Sequence, residues 1–419
     1  MLVNNKKSND DSVILIDNKY DRLVRSFLTG TLNFPFSYRF GLLLRWLIIK
    51  SKVLYKSFFL ERFYPYKYDI NQFLKYNPDI IHFHDGQANS YDVRTLKKLS
   101  EKTAVVFSLH DLWLFTGHCG VPLDCNKFID GCGDCPNLLL PPKIHYDNTK
   151  TALKYKYNEI IESDINFLTH SKWVKSTVNS VKYLRNKIKT DFIKYSIDID
   201  KFKPKKNKEK IREEYNISKN SFIIITNAVG ISSNPYKDFD TLQKAFQMLI
   251  KEKKKDILLI VIGDKEINFE QLSNKENFLF FNPIPQSDSL VDLYTISDLY
   301  VHSSNIETWG LAISEAFSCG LPVIASSVGA ISEQVYGLDR NHLNDKMNNY
   351  TIENANGFLF ERKNILMLFE MIKWIMSNKD ARRYLKKNAR KHAINKLNIK
   401  NNVSLYSNYY KKILKSKRT

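Results

Sequence analysis

The chain lacks any long apolar run. Its most apolar stretch, FGLLLRWLII at 40–49, is too short to span a bilayer and carries Arg45. A secretory leader is not expected either, because MLVNNKKSNDDS is polar and only VILI follows it. Cysteine is scarce: five in 419 residues, four of them crowded into 119–135. In a reducing compartment such crowding suggests a metal or local structure before disulfides. Tandem repeats and low-complexity tails are missing. Acidic residues are outnumbered, 44 Asp+Glu against 64 Lys+Arg, for a net charge of +20. This excess favours anionic partners such as nucleic acid, acidic lipid headgroups or phosphate-bearing substrates, or else reflects a drift toward Lys and Asn over the whole surface. No recognition helix or aromatic-basic motif is present, so nucleic acid ranks last and is not an expected partner. The product is expected to be cytosolic or bound to a membrane face.

What is present is enough apolar residue, 43%, for two domains that each bury a core. The second half alternates cleanly. SFIIITNA (221–228), DILLIVIGD (256–264), DLYVHSS (298–304) and PVIAS (322–326) read as strands. DFDTLQKAFQMLIKEK (238–253), DSLVDLYTIS (288–297) and AISEAFSCG (312–320) read as helices. Continuous apolar strands between amphipathic helices imply a parallel sheet covered on both faces, a Rossmann-like domain. The first half repeats the rhythm in PDIIHFHD (78–85), TAVVFSLHD (103–111) and SDINFLTHS (163–171). The charged stretch KPKKNKEK (203–210) reads as a linker neighbourhood, and the last nineteen or so residues as a basic amphipathic helix. Ligands of open parallel sheets bind at the carboxyl ends of strands. Those ends hold His82, His84 and His110 in the first half, and Asn227, Gly263 and the 303–310 loop in the second.

In that loop and the helix after it, Glu307-Thr-Trp-Gly-Leu-Ala-Ile-Ser-Glu315 leads into Cys-Gly-Leu-Pro-Val-Ile-Ala-Ser. Two carboxylates at this spacing can each accept a pair of hydroxyl hydrogen bonds. Glu315, early in a helix, suits ribose hydroxyls. Glu307 suits hydroxyls of a transferred sugar. The N–H groups of Trp309, Gly310 and Leu311 at the helix start attract a phosphate, and Gly310 removes the side chain that would block its approach. The stretch resembles the donor-site signature of family 4 retaining glycosyltransferases, whose GT-B fold has two facing Rossmann-like domains, and the resemblance covers most of 220–380. It implies donor binding through Lys237, Thr308, Trp309, Gly310, Leu311 and Glu315, with Lys237 as diphosphate clamp. The Arg that the family usually places upstream of that lysine is replaced by the Asn227–Ser232 loop.

VVFSLHDLWLFTGHCGVPLDCNKFIDGCGDCPNL (105–138) resembles a cysteine-containing branch of the same family in exopolysaccharide, colanic-acid and O-antigen assembly. The resemblance makes His110 a cleft histidine near the transferred sugar, catalytic together with Glu307. The leaving phosphate would serve as base. His82 and His84 are acceptor-side candidates or simple strand-end histidines. Cys119, Cys125, Cys132 and Cys135, in the loop 116–138, could bind a structural zinc, pair as disulfides or stay free thiols. The wide spacing of the first pair weakens zinc. No catalytic cofactor is expected.

The expected domains are 1–195, 196–390 and a C-terminal helix, 391–419, packing back toward the first. The family normally opens with a strand, a Gly-Gly loop and a helix before a segment like MLVNNKKSNDDSV, so the N-terminal domain is expected to lack its first strand and that loop. Residues 37–63 mix apolar and basic positions at helical spacing, and form either a surface for an anionic membrane or a core helix pair. The expected activity is transfer of a sugar from a nucleotide-sugar donor to a glycan acceptor, lipid-linked, in cell-surface polysaccharide synthesis. The alternative is an N-terminally truncated, inactive relative that only binds a nucleotide or a partner.

Overall fold

The computed structural model describes residues 2–3, 14–15, 69–84, 93–253, 256–263, 274–285, 287–338 and 355–418. The chain divides into two compact units. Met1–His170, Val174–Phe192 and Asn408–Thr419 form one; Ser171–Trp173 and Ile193–Ser407 form the other. The expected 195/196 boundary thus compares with one at 192/193. Most of the segment expected to lack a first strand, and all of 37–63, lie outside the described residues. There, β1 (Leu2–Val3) pairs in parallel with β2 (Ile14–Leu15).

In the first unit β3 (Ile80–His84), β4 (Ala104–Leu109), β5 (Ile165–Thr169) and β6 (Lys189–Phe192) form a parallel sheet in that order. Every residue of β4 is buried, as its unbroken AVVFSL run requires of an inner strand. The end of the last helix, Ile399–Arg418, is tied to this unit. Lys417 Nζ donates to Thr103 O at 2.9 Å, and Lys412 pairs with Asp191 at 3.2 Å.

The second unit has β7 (Phe222–Asn227), β8 (Ile257–Ile262), β9 (Phe278–Phe281), β10 (Leu299–His302), β11 (Val323–Ser326), β12 (Gly337–Leu338) and β13 (Gly357–Phe360). All pairs are parallel, in the order β12-β13-β11-β10-β7-β8-β9. The alternation of side chains explains the unbroken apolar runs. Ile223, Ile225, Ile260, Ile262 and Val323 face one core, which includes the helices Asp288–Ile296 and Leu311–Ser318. Ile224, Leu259, Val261 and Ile324 face the other, which includes Phe239–Lys253 and Ile365–Ser377. With both faces covered, neither parity of residue can be polar. The helix Leu311–Ser318 ends in a Schellman turn: Gly320, at φ 73°, donates to Phe317 O, and Leu321 N donates to Ala316 O. Pro322 then feeds the chain into β11.

The stretch 203–210 is not a linker. Residues Lys208–Glu214 form a helix of the second unit. Lys208 and the buried Arg212 each reach a carboxylate oxygen of Asp298 at 3.0 Å, just before β10. That carboxylate also accepts from Ile223 N at 3.1 Å, so the charged run anchors the start of two neighbouring strands.

Because both faces of β7 are packed, Ile224→Ala and Ile225→Ala should each cost about 2–5 kcal/mol, while Leu405→Ala on the exposed helix surface should cost under about 0.5 kcal/mol. Urea unfolding midpoints check this; unequal cost for the two isoleucines would contradict a doubly covered sheet.

Candidate functional site

The order of the seven-stranded sheet places a crevice. From β7 the chain runs outward through β8 and β9, then returns to the other side of β7 as β10 and continues to β11. The β7/β10 pair is therefore the topological switch point, where open parallel sheets bind ligands outside their carboxyl ends. Asn227 ends β7 and His302 ends β10. The loops beyond them are zipped together. Asn305 N donates to Tyr236 O at 2.9 Å and Asp238 N to Ser303 O at 3.2 Å. The Asn305 amide donates to the carbonyls of Pro235 and Lys237. This zipper carries Lys237 to Glu307.

Lys237 Nζ lies 2.6 Å from Glu307 Oε2, with both side chains largely buried. His302 Nε2 lies 3.2 Å from the same oxygen. Burial by itself pushes the Glu307 carboxyl up, but the Lys237 ammonium and the His302 bond outweigh it and hold the group well below the usual carboxylate range. Burial pushes His302 down, against the bond to Glu307 that would raise it. Glu315, in the second turn of its helix, is buried, and its Oε2 accepts from Tyr294 OH at 3.0 Å. Tyr294 and Tyr300 are fully buried, which pushes both phenols well up and keeps them protonated donors.

Between the carboxylates lies the helix start. Gly310 adopts φ 89° and ψ 71°, a left-handed conformation. A Cβ there would come within 3.1 Å of Ile313 and 3.3 Å of Glu307 Cγ. The N–H groups of Trp309, Gly310 and Leu311 donate to no backbone carbonyl outside regular helix bonding. The Trp309 side chain is not at the surface: it lies in the core, with Nε1 donating to Ser314 Oγ at 3.2 Å. Gln334 receives the Ser314 hydroxyl at 2.8 Å and its amide donates back to Trp309 O. So Trp309 offers a ligand its backbone, while its indole holds the turn. Gly329, at φ 53°, lets the loop after β11 press on Glu307, whose carbonyl accepts from Ala330 N at 2.9 Å; a Cβ would sit 2.1 Å from that carbonyl oxygen.

The structure thus brings together Lys237, Glu307, Glu315 and the 308–311 turn, which the sequence singled out. It adds Tyr294, Tyr300, His302, Gln334 and Gly329, which sequence reasoning missed. The tyrosines read as core residues of DLYTIS and DLYV; the packing of the helix Asp288–Ile296 turns the Tyr294 hydroxyl toward Asn227, and the register of β10 against β7 brings that of Tyr300 there.

His82, His84 and His110 form a group of their own in the first unit, at the carboxyl ends of β3 and β4. His82 Nδ1 meets Tyr410 OH at 2.7 Å and its Nε2 meets Ser108 Oγ at 2.8 Å. His84 Nδ1 and His110 Nε2 are 3.1 Å apart, and the rings stack through His110 to His170. Burial pushes His82 down to about 3, helped by its histidine neighbours.

Cys119, Cys125, Cys132 and Cys135 are free thiols. Among the described residues no three His, Cys, Asp or Glu side chains are arranged to hold a metal ion. Burial pushes Cys119 up to about 12 and Cys132 up to about 11. The loop is also held by the helix Thr149–Ile161. The fully buried Lys156 donates to Trp113 O at 2.7 Å and Thr116 O at 3.1 Å, with Nζ 3.8 Å from the Trp113 ring centre. Tyr157 OH donates to Phe115 O at 3.0 Å.

Two tests follow from these groups. A histidine depressed on folding favours the folded state when neutral, because the unfolded chain takes up the proton first. Stability should therefore fall as pH drops from 6.5 toward about 3, and His82→Gln should flatten that dependence in melts taken across the range. Lys156→Met should lower stability by about 1–3 kcal/mol for each carbonyl left unpaired; a chelator tests the metal reading of the four cysteines separately, a large drop in melting temperature supporting a bound ion and an unchanged one counting against it.

Residues 207–392 match the family described as glycosyl transferases group 1. Over 277 residues the chain is 23% identical to a putative colanic acid biosynthesis glycosyl transferase of Escherichia coli (strain K12), an alignment covering 61% of this chain and 62% of that protein. Two solved structures share the fold. A glycosyltransferase from Rickettsia africae ESF-5 superposes with a TM-score of 0.60 at 19% identity, covering 96% of this chain and 86% of its own. Anabaena HepE, solved with UDP, gives 0.59 at 17% identity, covering 82% of each chain.

Proposed function

We propose that this chain, whose residues 207–392 form a glycosyl transferases group 1 domain, is a retaining glycosyltransferase. It takes a sugar from a nucleotide-sugar donor and passes it to a glycan acceptor. The observation that carries this reading is the convergence of Glu307, Lys237, Glu315 and the free N–H groups of the 309–311 turn at the β7/β10 switch point. A nucleotide sugar offers a ribose, a diphosphate and a sugar in line. Glu315 accepts the ribose hydroxyls. The helix N–H groups and Lys237 face the diphosphate, where they stabilise the charge that grows as it leaves. Glu307, with Oε2 already engaged, offers Oε1 to a hydroxyl of the transferred sugar.

In the transfer step the bond from the anomeric carbon to the diphosphate oxygen breaks, and a bond to the acceptor oxygen forms on the same face. The acceptor's proton passes to the leaving phosphate. No metal is needed for that balance. His110 would donate a hydrogen bond that positions the sugar or its phosphate, and His82 and His84 would face the acceptor side. The net charge of +20 supports a lipid-linked acceptor at the cytoplasmic face of an anionic membrane, and no described helix is long and apolar enough to cross one. The colanic acid relative supports a place in cell-surface polysaccharide synthesis.

Glu315→Ala should weaken binding of the free nucleotide by about 1.5–3 kcal/mol, the range for hydrogen bonds to a charged group. Glu307→Ala should leave free-nucleotide affinity nearly intact and abolish transfer. Calorimetric titration with UDP and GDP, followed by a donor-sugar screen, separates the two; equal loss of nucleotide affinity in both variants would refute the division of roles.

A further inference from the structure

Glu307 and Glu315 are each approached by a largely buried arm of polar groups, and the two arms meet at Asn227. Glu315 Oε2 accepts from Tyr294 OH at 3.0 Å, and that hydroxyl accepts from Asn227 Nδ2 at 3.2 Å. Tyr300 OH lies 3.4 Å from Asn227 O and 3.0 Å from His302 Nδ1. His302 Nε2 is 3.2 Å from Glu307 Oε2 and 3.1 Å from Ser304 Oγ, and Lys237 closes the chain on the same carboxylate oxygen. Tyr294, Tyr300, His302 and Ser304 are buried, and Asn227 is half-buried.

The contacts favour one proton arrangement, in which the Ser304 hydroxyl lies beside the Nε2–H rather than donating to it. A carboxylate paired with a lysine accepts only, so His302 Nε2 must carry the proton that faces Glu307. In a neutral imidazole Nδ1 is then a lone pair, and Tyr300 must donate to it. Tyr300 has one proton, and the shorter contact, to Nδ1, takes it. The reversed tautomer would set the Nε2 lone pair against a carboxylate oxygen 3.2 Å away, in a site where water cannot relieve the repulsion. The phenol of Tyr300 thus fixes the imidazole, and the imidazole fixes which oxygen of Glu307 is engaged.

We propose that His302 and Tyr300 are positioning residues of the donor site, holding Glu307 with Oε2 bound and Oε1 presented to the donor sugar. This deepens the glycosyltransferase reading and rests on it for its kinetic consequence. Asn227 stands between the two arms, its side-chain amide on Tyr294 and its carbonyl beside Tyr300, so the sugar-facing and ribose-facing carboxylates are braced against one strand end. A lateral error of about 1 Å at a positioning group costs on the order of 100-fold in rate.

Two measurements test it. The first needs no activity. Nitrogen NMR of the full chain with labelled histidine should show His302 protonated at Nε2 alone, with the resonances assigned by their loss in His302→Gln. Protonation at Nδ1 alone, or at both nitrogens at pH 7.5, overturns the proposal. Tyr300→Phe should release the tautomer preference, and a preference retained in that variant overturns it too. The second is kinetic, with UDP binding as the control. His302→Leu should lower kcat with the accepted donor sugar about 100-fold while leaving UDP affinity within about twofold. His302→Gln, whose amide can reach Glu307 as Nε2–H does, should recover activity to within about tenfold of the parent. Loss of UDP affinity in parallel with kcat, or no recovery by Gln, assigns His302 a purely structural role. If the parent binds no nucleotide at all, the glycosyltransferase reading falls. The NMR result still decides the geometry independently.

Discussion

The second unit is organised around one buried carboxylate. Glu307 sits where an unpaired charge would cost several kcal/mol, and three devices keep it ionised in one place: Lys237 at 2.6 Å, His302 at 3.2 Å, and a loop pressed on its own backbone. Lys237 can reach it only because the loop after β7 is zipped to the loop after β10. That adjacency exists only because β7 and β10 are neighbours at the switch point. Gly329 is glycine because the backbone of Glu307 fills the space a Cβ would need. The sheet order, two loop conformations and a glycine thus combine to house one charge.

The first unit solves a related problem with a cation. Lys156 is fully buried, and the carbonyls of Trp113 and Thr116 and the Trp113 ring receive it. Burial raises the cost of a thiolate at Cys119 and Cys132 beside it. A helix lysine and Tyr157 help to pin the loop that carries the crowded cysteines. His82 at the strand end follows the same rule: packed among other imidazoles and pushed down by burial, it hydrogen-bonds to the hydroxyls of Ser108 and Tyr410.

What the sequence by itself determined is the alternation of parallel strands and helices in the second unit, and the roster of charged groups at its carboxyl end. A doubly covered strand must be apolar at every position, so Ile223 to Ile225 and Ile257 to Ile262 announce themselves without any partner in view. A Gly-Glu spacing that caps a helix is equally local. β6, beginning with an exposed lysine, carries no such run and escaped notice, and β9 is a run of only four residues, FLFF, most of them half-buried. The stretch 203–210 misled because charge in sequence looks like solvent, and only the fold shows Lys208 and Arg212 turned onto Asp298. Tertiary structure alone decided that Tyr294 and Tyr300 point their hydroxyls at Asn227, that His302 faces Glu307, and that the cysteine loop hangs on Lys156. Each of these depends on which strand lies beside which, and at what register. Contacts between residues some seventy positions apart leave no periodic trace in the chain, because hydrogen bonds are set by angstroms in space and not by spacing in sequence.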